Sequence, residues 1–207
     1  AYRAKQANLV RFEFFPYDGL MVYGASFENE EGICVDNFSI RGNSGLNLGD
    51  ITPGMYQSFN RLRNYKLVIL QFGLNLVVSE SLNYPAYVKR MVREVNRLKT
   101  IFPNTSFLLL SVSDRGENVN GELKTMASIP TMRDAQRLIA QQSQIAFWDM
   151  FEAMGGDGSI VRWTEAKPAL GARDYTHLTF KGGKKLAGSL MKSLLYESEK
   201  YEKISGQ

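Results

Sequence analysis

The chain has 207 residues, 44% of them hydrophobic, with 25 basic and 21 acidic side chains and a net charge of +4. That length holds one full α/β domain with a small appendage, and the composition is that of a globular fold rather than a disordered or fibrous one. Apolar runs stop at about five to eight residues, too short for a membrane span, and the basic excess of Lys181, Lys184, Lys185 and Lys192 reads as a solvated helix face rather than a nucleic-acid surface.

In chain order, two aromatic-rich apolar runs come first, Leu9 to Phe15 and Leu20 to Tyr23. The turn residues Pro16-Tyr17-Asp18-Gly19 between them predict a β-hairpin. A second turn-like stretch, Glu28 to Gly32, leads into a strand expected from Ile33 to about Ile40. Cys34, the single cysteine, is expected there as a small buried hydrophobe, and one cysteine excludes an intrachain disulfide. The chain opens on Ala1 rather than Met, so the lack of a visible leader says nothing about compartment.

From there strands and helices alternate. A helix is predicted from about Thr52 to Leu62, with Pro53 in its first turn where a missing N–H is harmless. The strand Leu67 to Phe72 follows. Tyr87, Met91, Val95 and Leu98 then mark one face of a helix from about Pro85 to Thr100. Pro103-Asn104 ends it, and Ser106 to Val112 reads as a buried parallel strand. Asp114 to about Lys124 is polar and reads as a loop. A helix from Met132 to Gln142 and a short strand from Ile145 to Trp148 follow. The glycine-rich turn Met154 to Gly158 lacks a Gly-Lys-Ser/Thr and is no phosphate loop. A helix from about Gly182 to Glu199 closes the chain. The expected organisation is a β-rich segment over 1–32 and an α/β domain over 33–207. Its sheet should be parallel, with right-handed crossovers and helices on both faces.

In such sheets chemistry collects beyond the carboxyl ends of the strands, and three segments converge there. One is Asp174-Tyr175-Thr176-His177, which holds the only histidine of the chain. His177 suits a general base, because imidazole changes charge near neutral pH. Asp174 can take the other ring N–H, fixing the tautomer and stabilising imidazolium. The second is Gly73-Leu74-Asn75, closing the apolar run from Leu67, and the third is Gly42 within Arg41-Gly42-Asn43-Ser44-Gly45. The Asn75 amide and the Gly42 backbone N–H are candidate oxyanion donors, and a glycine lets its N–H face a substrate with no Cβ in the way. Each residue alone is also at home in an ordinary loop. Their order and spacing carry the reading.

In that order, Gly, then Gly-x-Asn, then Asp-x-x-His, these segments resemble the second, third and fifth blocks of the SGNH (GDSL-type) hydrolases, over about Val35 to the C-terminus. Two positions depart from the pattern: Leu76 stands where the third block has Asp, and Leu178 where a proline often follows the histidine. The Gly-Asp-Ser block that carries the nucleophile has no counterpart in these residues. The resemblance implies a three-layer α/β/α flavodoxin-like fold and hydrolysis of an ester by a Ser-His-Asp type mechanism, without cofactor or metal. It implies His177, Asp174, Asn75 and Gly42 as site residues. The substrate class it implies is a small-molecule or polysaccharide ester, in the manner of carbohydrate and peptidoglycan O-acetylesterases, in a periplasmic or secreted setting. Such members often carry a β-rich insertion after the nucleophile block. The run 9–23 looks like the tail of one, so the serine is expected in an upstream segment of the same protein.

Ser26 in Gly24-Ala25-Ser26 is the alternative nucleophile within the chain. Only 16 residues separate it from Gly42, which barely covers a βαβ crossover of at least about ten to twelve residues plus its strands. Ser44 is expected to hydrogen-bond within its loop. A binding module that keeps the fold without the nucleophile is the third reading.

Overall fold

The computed structural model describes residues 9–206 apart from 16, 23, 30, 40, 41 and 81. The chain divides into two compact units, Ala1–Phe38 and Ser39–Gln207.

In the first unit no helix or strand forms among the described residues. The turn expected near Gly19 is present, closed by the Leu20 N–H on the Tyr17 carbonyl at 3.1 Å. Neither predicted hairpin strand beside it forms among the described residues, and none forms over 33–39. Pro16, Tyr23 and Ile40 lie outside the described residues. Apolar alternation gives a strand its faces but not its partner, and a two-stranded ribbon alone is marginal in water. Cys34 is exposed rather than buried, with its thiol 3.5 Å from the Glu28 carboxylate.

The second unit is a mixed α/β fold around a parallel sheet. Its strands are β1 (Leu67–Gln71), β2 (Ser106–Leu110) and β5 (Ala146–Trp148), in the order β1-β2-β5. A separate antiparallel hairpin, β3 (Gly116–Val119) with β4 (Glu122–Thr125), occupies the stretch expected to be a loop. Its signal was Asn120-Gly121: both residues take positive φ, 55° and 88°, as a two-residue turn with the twist of the flanking strands requires.

Helix α1 (Pro53–Arg63) is capped by Thr52, whose hydroxyl oxygen accepts the Met55 N–H at 3.3 Å. Helix α2 (Pro85–Ile101) buries the predicted face of Tyr87, Met91, Val95 and Leu98. Helix α3 (Ser128–Ser143) starts four residues earlier than its apolar pattern, because Pro130 is tolerated in the first turn of a helix. With Phe107 and Leu109 of β2, α2 and α3 form the larger core, in which Met91, Val95, Ile129, Met132 and Ile139 have no accessible surface. Leu108 and Leu110, alternating with them, point to the other face of the sheet. There α4 (Met150–Met154), α5 (Ser159–Glu165) and α6 (Phe180–Ser205) build a second core of Met150, Met154, Ile160, Trp163 and Leu186. Trp148 of β5 belongs to it and donates its indole N–H to Ser193 of α6 at 3.2 Å. Though α6 has 26 residues, no described helix is long and apolar enough to cross a membrane.

Candidate active site

All three strands of the parallel sheet run the same way, so the segments after β1 and β2 leave from one edge. After β1 the chain turns at Gly73, φ +103°, into a single 3₁₀ turn, Leu74–Leu76, that presents Asn75. Gly73 is required twice. A side chain there would be strained at that φ, and a Cβ would stand 2.8 Å from the Gln136 amide nitrogen.

Gly42, φ +74°, has open space on the side where a Cβ would stand. Its loop is held by its own polar groups. The Asn43 side-chain oxygen accepts the Gly45 N–H at 2.7 Å, and Ser44 Oγ accepts the Leu46 N–H at 3.4 Å. Ser44 is therefore occupied within the loop, as its position suggested. The Asn75 amide nitrogen donates to the Asn43 carbonyl at 3.2 Å, which brings Asn75 beside the residue following Gly42. An amide carries two N–H groups, so one bond to Asn43 is compatible with a second to a substrate oxygen.

The loop bearing the histidine is pinched at its base by a bridge between Gly171 and Leu178, and the Ala172 N–H donates to the His177 carbonyl at 2.8 Å. Its exit is fixed by Thr179, which caps α6 by accepting the Gly182 N–H at 3.2 Å and donates its hydroxyl to the Ala169 carbonyl at 2.9 Å. Gly182 must be glycine, since a Cβ would collide with the Leu170 carbonyl. Inside the loop Asp174 Oδ2 lies 2.6 Å from His177 Nδ1. Asp174 Oδ1 accepts the backbone N–H groups of Thr176 and His177, each at 3.0 Å. The carboxylate thus orders its own loop with one oxygen and the imidazole with the other. With Nδ1 facing a carboxylate, the neutral ring carries its proton there and offers the Nε2 lone pair.

These bonds hold the Asp174 carboxyl well below the usual range, at about 2 against 3.8; the His177 backbone N–H is the largest cause, followed by its ring. Asp174 is therefore a carboxylate wherever imidazole titrates. Because its pKa is lower folded than unfolded, what it adds to stability is complete above about pH 4 and lost as pH falls through about 2. That contribution is small, because the side chain is about half exposed. Followed by its carboxyl carbon in NMR, Asp174 should titrate below pH 3. In His177→Ala the midpoint should return only part of the way, since the backbone N–H remains.

The loops that carry Asn75 and His177 are tied through one short segment, residues 115–117, within the stretch expected to be a polar loop. The Gly116 N–H donates to the Tyr175 carbonyl at 2.7 Å, and a Cβ on Gly116 would stand 2.9 Å from that of Tyr175. The neighbouring Arg115 guanidinium donates to the Val77 carbonyl at 3.2 Å, and the Ser79 hydroxyl to Glu117 at 2.5 Å. Residues 115–117 thus bridge the loop after Asn75 and the loop of Asp174 and His177. Behind them Asp114, with no accessible surface, accepts from Thr125 Oγ1 at 2.8 Å, Ser159 Oγ at 3.2 Å and the Ile160 N–H at 2.8 Å. Polar residues beyond a strand gave no sign in sequence of being buried.

Ser26 lies in the first unit, exposed, with its hydroxyl donating to Glu28. No helix or strand separates it from Gly42 among the described residues. No crossover between Ser26 and this sheet is therefore seen among the described residues.

Among solved structures, the chain is similar to one described as a peptidoglycan O-acetylesterase in action, with a TM-score of 0.67 and 22% identity over 77% of this chain. The likeness is one of fold. The matched part covers 45% of that protein, so this chain spans less than half of its length. No protein-family model and no curated protein matches the sequence.

Proposed function

We propose that the second unit is the base- and oxyanion-bearing part of an SGNH-type esterase acting on an acylated carbohydrate, with the serine supplied by a segment outside these 207 residues. The observation that carries this reading is the Asp174–His177 pair at 2.6 Å, with the carboxyl held ionised. The fold shared with a peptidoglycan O-acetylesterase supports it.

In this mechanism His177 Nε2 takes the proton of the incoming serine hydroxyl as its oxygen attacks the ester carbonyl carbon. Asp174 stabilises the imidazolium that forms. The carbonyl oxygen becomes an oxyanion, which receives hydrogen bonds from the Gly42 N–H and the Asn75 amide. His177 then gives its proton to the departing alkoxide, and water releases the acyl group by the same steps. Asn75→Ala should therefore lower turnover about a hundredfold or more, the usual cost of one oxyanion donor. KM should change far less, because the oxyanion exists only after attack.

The absence of a Gly-Asp-Ser block favours one second reading, a non-catalytic binding module that retains the fold. Hydrolysis of p-nitrophenyl acetate by the chain tests the proposal. The expected result is little turnover, because base and oxyanion donors are present without a serine to acylate. Rapid turnover abolished by Ser26→Ala would overturn it.

A further inference from the structure

The two candidate oxyanion donors lie on separate loops, and a buried polar relay joins those loops from behind. Tyr87 of α2, 6% exposed, donates its hydroxyl to the Ser44 carbonyl at 3.2 Å, on the loop that begins at Gly42. Gln136 of α3, fully buried, donates from Nε2 to the Phe72 carbonyl at 2.7 Å, immediately before Gly73. Its Oε1 accepts the Val112 N–H at 2.7 Å, just beyond β2. The Gln136 amide and the Tyr87 hydroxyl meet at Gly73, 2.8 and 3.4 Å from where a Cβ would stand. Burial, opposed by a hydrogen bond from Gln136, pushes the Tyr87 phenol well above its ordinary pKa, so it stays a neutral donor. The same loop is packed tightly at Gly45, where a Cβ would stand 3.0 Å from Met91 and from the Phe72 ring.

We infer that Tyr87 and Gln136 are positioning residues: they fix the separation of the Gly42 and Asn75 donors. A hydrophobic core would hold α2 and α3 together without them. A buried amide satisfied on both sides is instead suited to hold loops in one geometry, because each lost bond leaves a buried N–H or a partly buried carbonyl unpaired. An oxyanion hole needs that: its donors act only when held before charge develops. The catalytic meaning of the relay rests on the esterase reading, but the geometric claim is testable without it.

The test is the amide NMR spectrum of the 207-residue chain carrying Tyr87→Phe, Gln136→Met or, as a comparison, Ile139→Val, which trims the same core without touching the relay. Tyr87→Phe and Gln136→Met should each shift the Gly42 N–H and the Asn75 side-chain amide, on both loops, while Ile139→Val leaves them in place. The His177 ring signals should hold in all three. Should Gln136→Met fail to fold, Tyr87→Phe, which removes a single oxygen, carries the test. Relay variants that melt earlier yet leave the Gly42 and Asn75 signals where Ile139→Val leaves them would overturn the inference and make the relay plain core. That outcome would not touch the esterase reading, which fails instead if the longer, serine-bearing protein is not acylated.

Discussion

Replacing His177 by alanine is expected to lower ester turnover of the serine-bearing protein by about a thousandfold or more, the usual consequence of removing the base from a triad. Its melting temperature should stay nearly unchanged. The His177 side chain is 76% exposed, and its ring contributes nothing to either apolar core. The loop also survives the substitution, because the bond that Asp174 Oδ1 accepts at residue 177 comes from the backbone. Asp174→Asn should be damaging for another reason: an amide can hold the imidazole in the wrong tautomer. Turnover and thermal melting measured on the same preparations check both variants. A His177→Ala protein that melts many degrees earlier, yet turns over normally in its folded fraction, would make His177 structural.

Asp114→Ala should show the opposite pattern, with a large loss of stability. Its carboxylate serves the Thr125 and Ser159 hydroxyls and the Ile160 N–H at the start of α5, in a place with no accessible surface. Thr125 Oγ1 in turn accepts the Gly158 N–H at 2.6 Å, so the failure spreads to a second backbone group. Each buried group left unpaired costs about 1–3 kcal/mol, and a total of about 2–5 kcal/mol is expected. For a chain of this size that lowers the melting temperature by roughly 5–15 °C. Urea unfolding with an unchanged m-value would assign the loss to the native state. Because Asp114 precedes the Arg115–Glu117 bridge, the same variant should also loosen the histidine loop.

What could be read in the sequence was local. Tyr87, Met91, Val95 and Leu98 recur at helical spacing, and the structure buries that face. Asp174 and His177 lie three residues apart, close enough for one turn of loop to join them. The apolar runs at 9–15 and 33–39 carried the same kind of signal, and no strand forms there among the described residues: apolar alternation marks a face but does not name the backbone that must pair with it. The β3–β4 hairpin was hidden by its polar composition, although its Asn-Gly turn was visible. Gln136 follows Met132 by four residues and precedes Ile139 by three, on the buried face of α3, and only the ends of β1 and β2, 64 and 24 residues away, supply the partners of its amide. Buried polar residues answer to partners that are distant in sequence. Periodicity can place such a residue on a buried face but cannot name those partners.

Whether His177 activates a serine outside these residues is read by labelling with a serine-directed fluorophosphonate, applied to this chain and to a protein extended by the residues encoded upstream. The expected result is labelling of the longer protein alone, at a serine outside these 207 residues, and its loss on His177→Ala. Labelling of the 207-residue chain at Ser26, or labelling of the longer protein that His177→Ala leaves intact, would contradict it.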